Sequence, residues 1–279
     1  MRYVAERRAR GELARTTQRN ITNCLRRFTR TLGDKPCGTI TQRDITRWLN
    51  DRQHLSQGSR RTEIGIVDGF LAWLVATGRL SRNPLDGLPR PKVPRSVPAA
   101  FPAPAVEQLL EVAAGDARLT AIIWSMLGLG MRRIEVHRLN VEDWDRWGET
   151  VKVTGKGSHE RILPVTAAVR RAWDRYLAED PRATGPMFVN CHGGRLSTTS
   201  ITKTVGDALT EAGIKRRAYD RACAHALRHT AASDVLEASR DLRLVQAMLG
   251  HANVATTSIY LRRSTIGEMR EAMEPRRYA

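Results

Sequence analysis

A chain of 279 residues exceeds the usual size of one compact domain, and a hydrophobic content of 41% is enough to build two separate cores. The 46 Lys and Arg against 29 Asp and Glu leave a formal net charge of +17, which favours a polyanionic partner and disfavours a purely small-molecule enzyme. The basic start MRYVAERRARGELARTT has no apolar stretch behind it and no run elsewhere reaches membrane-spanning length, which argues against secretion and membrane insertion. Cys24, Cys37, Cys191 and Cys223 form no CxxC pair and no metal-ligand spacing, so they read as reduced thiols of a cytoplasmic protein.

From Thr16 the apolar positions Ile21, Cys24, Leu25, Phe28 and Leu32 follow helical spacing, with Thr16 or Thr17 as the expected N-cap and Gly33 as the stop. Thr41 is placed to cap a second helix carrying Ile45, Trp48 and Leu49. Ile64, Val67, Phe70, Leu71, Leu74 and Val75 stripe a third that ends at Gly78. Around these stripes lie basic residues, of which Arg19, Arg26, Arg43, Arg60 and Arg61 are the candidate DNA-binding set. Such charges are usually only a solvated face, but a small all-helical unit this rich in arginine is also a good clamp for phosphates.

Asn83-Pro84 and then LPRPKVPRSVPAAFPAP break the periodicity. Clustered prolines fix backbone angles and remove amide donors, so a linker over 91–104 is expected between a helical domain at 1–90 and a larger one at 105–279. Val106, Leu109, Leu110 and Val112 then begin a helix, and LTAIIWSMLGLG reads as a buried one. Val151 to Val153, Gly-Lys-Gly, and Ile162 to Val165 read as strand, turn, strand. Thr198 or Thr199 is expected to cap a helix ending at Gly213, and HALRH opens another. Gly250 ends the LVQAML helix in a left-handed cap that leaves His251 on the turn. The fold class is therefore mainly α with a small β-sheet, α+β.

Several of these elements carry candidate chemistry. Arg132 and Glu135, three apart at a helix start, share a face, so the carboxylate is placed to orient nearby cations. GMRRIE by itself is an ordinary surface helix end. Lys156 sits between two glycines at a hairpin tip, where a long ammonium side chain can reach over a ligand. An isolated GKG is usually a plain turn, and this one lacks the glycine spacing and the Ser/Thr-led helix of a P-loop. In AHALRHT, His225 lies three residues from Arg228 and four from His229. Zinc chelation by the two histidines competes, but the HExxH glutamate is absent and an arginine beside the metal would repel it, so core packing is expected for His229. A lone His251 could simply satisfy carbonyls. Tyr260, with Asn253 and Thr256 as candidate caps nearby, could simply pack, because a phenol of pKa about 10 is a weak nucleophile unless cations help it.

Taken in order, GLGMRRIE, VTGKGSHERILPV, AHALRHTAAS and LGHANVATTSIY resemble the tyrosine recombinase (phage integrase) family. The resemblance covers nearly the whole chain and is strongest from Gly128 to Leu261. It implies a SAM-like helical core-binding domain followed by a tyrosine-recombinase catalytic domain with a C-terminal tail helix. It also implies Arg132, Lys156, His225, Arg228, His251 and Tyr260 as catalytic residues, supported by Glu135, with Lys156 protonating the leaving 5′ oxygen. The implied activity is site-specific recombination through a 3′-phosphotyrosine and a Holliday junction, with no cofactor, metal or ATP. The implied partners are double-stranded DNA with specific recombination sites, a homotetramer on that DNA, and an accessory DNA-bending or directionality protein as a candidate; no membrane is involved. Arg133 and Cys223-Ala224 depart from the family pattern, which bears on local packing.

Integration or excision of a phage or mobile element is the first expectation for the role, and Xer-like dimer resolution the second. A type IB topoisomerase and a non-cleaving DNA-binding regulator are the rival readings. Thr265 with Glu268 makes a capping box, and Ile266, Met269 and Met273 line one face of a tail helix that docks either on a neighbouring protomer or on its own domain.

Overall fold

The structure, a computed structural model, describes residues 2–12, 15–89, 100–155, 159–214, 224–250, 269, 270 and 273. The chain divides into two compact units, Met1–Ser96 and Val97–Ala279.

The first unit is helical, with α1 (Arg2–Ala9), α2 (Arg15–Leu32), α3 (Gln42–Asn50) and α4 (Gln57–Ala76). Its core joins the predicted stripes: Ile21, Cys24 and Phe28 of α2, Ile45 and Trp48 of α3, and Ile64, Val67, Leu71 and Leu74 of α4. Thr41 does cap α3, with its backbone N–H and its hydroxyl both donating to Asp44 Oδ2 at 2.9 and 2.7 Å. α2 instead begins at Arg15, so Thr16 and Thr17 lie inside it. Consecutive residues of similar capping ability leave the start of a helix poorly specified by sequence alone.

Helix α1 is an addition to the sequence reading. Its segment RYVAERRA has no apolar stripe, yet Tyr3 and Val4 are buried. Tyr3 packs on Phe70 and Trp73, each at 5.6 Å between ring centroids, and Glu6 accepts a 2.8 Å hydrogen bond from Trp73 Nε1. One aromatic side chain is enough to dock a short basic helix.

The second unit comprises α5 (Ala103–Ala113), α6 (Ala117–Leu127), α7 (Arg133–Arg138), β1 (Trp144–Asp145), β2 (Thr150–Thr154), β3 (Glu160–Pro164), α8 (Ala167–Glu179), α9 (Thr198–Glu211), α10 (Ala224–Ser239) and α11 (Leu242–Leu249). Residues 91–99 of the expected linker lie outside the described residues, and Pro104 occupies the first turn of α5, where a missing amide donor is harmless. α6 is the apolar centre: Ala121 to Leu127 are all buried, and α5, α7, α8, α9 and α10 pack around it. Its one polar core side chain, Ser125, donates to Ala121 O at 2.7 Å and accepts from Trp173 Nε1 at 3.0 Å, so no buried polar atom is orphaned there.

The sheet is antiparallel in the order β1-β2-β3, with Val151 opposite Leu163 and Val153 opposite Arg161. β1 and α8 were not anticipated; the former is only two residues long. The N-cap of α9 is Ser197, which accepts from Ser200 N at 3.0 Å, in place of the expected Thr198 or Thr199. Among the described residues no helix is long and apolar enough to cross a membrane.

Candidate active site

The turn from α6 into α7 starts the site. Gly130 adopts φ +61°, and a Cβ there would lie 2.8 Å from Met248 Cε and 3.3 Å from Leu249 Cδ2. Both the left-handed backbone and the close approach of α11 require glycine. Arg132 is then the N-cap of α7, and its backbone N–H donates to Glu135 Oε2 at 2.8 Å. A carboxylate at this position satisfies an orphan helix amide and suits the helix dipole.

Glu135 is the hub. Its Oε1 accepts from Arg132 Nη1 at 2.8 Å and Arg161 Nη1 at 3.0 Å, its Oε2 from Arg161 Nη2 at 2.7 Å, and Arg228 Nη1 lies 3.6 Å from Oε2. The side chain is 0% exposed. Burial alone would push the carboxyl up, but the hydrogen bonds and charge of Arg161, joined by those of Arg132, outweigh it and hold the group below the usual carboxylate range.

Arg228, only 3% exposed, donates through Nη1 to Gly130 O and through Nη2 to Leu249 O at 2.7 Å. Arg132 Nη1 reaches the same Leu249 carbonyl at 3.3 Å. Two guanidinium groups distant in sequence therefore meet at the C-terminal end of α11, where the helix dipole favours cations. Burial, then the charge of Arg132, lowers the Arg228 pKa to about 10 against the pull of Glu135, which still leaves it protonated at neutral pH. Arg132 is the more open of the two, with a side chain 32% exposed.

His225, one turn before Arg228 on α10, is exposed, and its ring meets that of His229 edge to face at 4.7 Å. Partial desolvation, followed by the charges of His229, Arg228 and Arg132, holds its pKa below the ordinary imidazole value, so the ring is neutral and able to accept a proton near pH 7. His229 is half-buried against it, outside the core expected for it, and is lowered in turn by burial and Arg228.

Lys156, His251 and Tyr260 lie outside the described residues, as do Cys223, Asn253, Thr256, Thr265, Ile266 and Glu268. The residues preceding the first two are nevertheless built into the hub. A Cβ on Gly155 would lie 3.5 Å from Glu135 Oε1, and one on Gly250, whose φ is +61°, would lie 3.1 Å from Arg161 Cδ. Gly250 is the expected left-handed cap of α11. Of the tail, Met269 and Met273 are buried in the core of the second unit, and Arg270 pairs with Glu149.

Arg161 was not singled out in the sequence. Alternation within RILPV allows two phases; Leu163 and Val165 are buried while Ile162 is 43% exposed, and this phase turns Arg161 to the hub opposite the buried Val153. The available signal was the phase of β2, whose Val151 and Val153 face the core. In the helical unit Arg19, Arg26, Arg43 and Arg61 are exposed; Arg60 is half-buried, with its Nε buried and without a hydrogen-bond partner.

The chain belongs to the phage integrase family and is a site-specific tyrosine recombinase: residues 101–265 match the family, and a curated relative shares one third of its residues over nearly the whole length. That relative is tyrosine recombinase XerC of Shewanella amazonensis, 33% identical over 267 residues, covering 93% of this chain and 88% of its own. Among solved structures, the integrase of mycobacterium phage Brujita is 27% identical with a TM-score of 0.56, covering all of this chain and 93% of that one. A lambda integrase tetramer bound to a Holliday junction shares the fold, with a TM-score of 0.77 at 18% identity over 92% of this chain and 78% of that one. Family membership sets the topoisomerase reading aside.

Proposed function

We propose that this recombinase cuts and rejoins double-stranded DNA at specific sites, with Tyr260 as nucleophile. The phenolic oxygen attacks the scissile phosphorus in line, the bond to the 5′ oxygen breaks, and a 3′-phosphotyrosine forms. His225 takes the phenol proton and Lys156 gives one to the departing 5′ oxygen. Arg132 and Arg228 hold the non-bridging oxygens while charge builds, and His251 adds a hydrogen bond. The 5′-hydroxyl of a partner strand reverses the step, which yields a Holliday junction and then recombinant duplexes. No hydrolysis intervenes, so the bond energy is retained in the protein–DNA linkage.

One observation carries this reading: Arg132 and Arg228 converge on the carbonyl of Leu249, two residues before His251, with a neutral His225 on the helix that holds Arg228. The net charge of +17 supports a DNA partner, and duplex affinity should fall steeply with salt. Strand exchange between two duplexes needs four active sites, and the fold shared with the lambda integrase tetramer supports a homotetramer on DNA. Of the two biological settings, integration or excision of a mobile element and Xer-like resolution of DNA dimers, the XerC relative favours the second and the phage Brujita integrase the first. Mapping covalent adducts on genomic DNA separates them, at an element's ends or at a site unconnected with any element.

The chemistry is tested with a nicked suicide duplex built on the mapped site. The wild-type protein should be trapped as an adduct, while Tyr260→Phe binds the duplex normally and forms none. Cleavage by that variant would move the nucleophile to Tyr219 or Tyr278, and no adduct from the wild type would leave a DNA-binding regulator.

A further inference from the structure

We infer that Arg161 is a positioning residue of the cleavage reaction, acting through Glu135 and not on the phosphate; this rests on the active-site reading above. Arg161 joins three separate stretches of chain. Its Nη1 and Nη2 fork onto the two oxygens of Glu135 at 3.0 and 2.7 Å, its Nε donates to Met248 O at 2.8 Å, and it sits on β3, paired with β2. Three of its five donors are thus committed to protein acceptors, in the bidentate geometry that only a guanidinium provides. Its side chain is 11% exposed against 32% for Arg132, so Arg132 is the one open to a ligand.

Two consequences follow from this placement. The first is electrostatic: the single charge of Glu135 faces Arg132, Arg161 and Arg228, and the strongest pairing goes to Arg161. Arg161 therefore acts as counter-ion to the buried carboxylate, which orients Arg132 without cancelling its charge. Without Arg161, Glu135 would draw Arg132 fully onto itself. The second is mechanical, because Gly250 packs on the Arg161 side chain at the end of α11, and Gly155 packs on Glu135. One guanidinium thereby ties the β2–β3 hairpin to the C-terminal end of α11.

The test uses the full chain, a saturating nicked suicide duplex, and separate measurement of duplex affinity. Arg161→Met should bind duplex like the wild type but form the adduct about 100-fold more slowly, the scale expected for a small misplacement of reacting groups. Arg161→Lys, which keeps the charge and loses the fork, should recover to within about tenfold of the wild type, roughly one charge-assisted hydrogen bond. In a Glu135→Gln background, where no carboxylate needs neutralising, adding Arg161→Met should slow the adduct by less than about tenfold more, the non-additivity expected of two groups acting as one.

A wild-type rate for Arg161→Met overturns the inference. So does a loss confined to duplex affinity, which would make Arg161 a DNA contact, or a double variant whose defects multiply. Should Arg161→Met fail to fold, the same cycle is read with Arg161→Lys, whose defect must likewise shrink in the Glu135→Gln background. A wild-type protein that forms no adduct overturns the active-site reading together with the inference, whereas a reactive wild type with an equally reactive Arg161→Met overturns the inference alone.

Discussion

Each unit of this recombinase surrounds a glutamate with arginines, and the two clusters differ in how completely they are bonded. Glu135 is closed off from solvent and has both oxygens hydrogen-bonded, by Arg132 and Arg161, with Arg228 beside them. Glu63 of α4 accepts from Arg27 of α2 on Oε1, while its Oε2 faces Arg52 Nε at 3.4 Å without a hydrogen bond, and both of those atoms are buried and unsatisfied. Arg27 is itself 44% exposed. A carboxylate that only pins two helices needs one good bond. A carboxylate that must aim guanidinium groups needs every lone pair directed, because an underbonded oxygen lets its partners swing.

The largest expected effect separates the two hubs. Glu135→Ala leaves buried arginines without their counter-charge and should cost the catalytic unit about 3–5 kcal/mol, read as urea-dependent hydrogen exchange resolved by unit. A loss below about 1 kcal/mol would make the Glu135 hub no different from a surface pair. Next, Arg228→Ala should slow adduct formation by about 10²–10³-fold at saturating duplex, as for loss of a transition-state donor, with little change in affinity. A purely affinity-based defect would remove Arg228 from the chemistry.

A pH titration sharpens the comparison from the helical unit. The hydrogen bond from Lys35, helped by those from Thr41, outweighs the penalty of burial and lowers Asp44 from 3.8 to about 2. Its folded pKa lies below the unfolded one, so its contribution is fully present above about pH 4 and is lost as pH falls toward 2. Asp44→Asn should therefore remove about 2 kcal/mol from that unit near pH 6 and flatten its stability between pH 4 and 2, seen by acid denaturation. Glu135 is lowered too, so Glu135→Gln should likewise weaken the acid dependence of the catalytic unit. The smallest effect is expected for Glu63→Gln, about 1 kcal/mol, because the amide oxygen still accepts from Arg27, with unchanged cleavage. A cleavage defect in that variant would show that the helical cluster also serves the reaction.

Elements with one strong local signal were readable in the sequence. The stripes of α2, α3 and α4 and the glycine stops at Gly33, Gly78 and Gly250 are all present, the glycines at positive φ. α1 was not readable, because its order comes from Tyr3 docking on Phe70 and Trp73 some seventy positions away. Arg161 was not either: RILPV is compatible with either phase, and the pairing of Val151 with Leu163 and of Val153 with Arg161 selects the one that turns Arg161 inward.

By itself the sequence determined the mainly helical class, the small hairpin and the ordered strings that hold Arg132, Glu135, His225 and Arg228, because helix periodicity, caps and turns are settled by residues within one turn of each other. Tertiary structure alone decided that Arg132 and Arg228 share the carbonyl of Leu249 and that Arg161 turns inward to Glu135. Those contacts join residues far apart in the chain and depend on strand register, on the close approach of α11 to Gly130, and on the gain from neutralising a buried charge, none of which a local window of sequence contains.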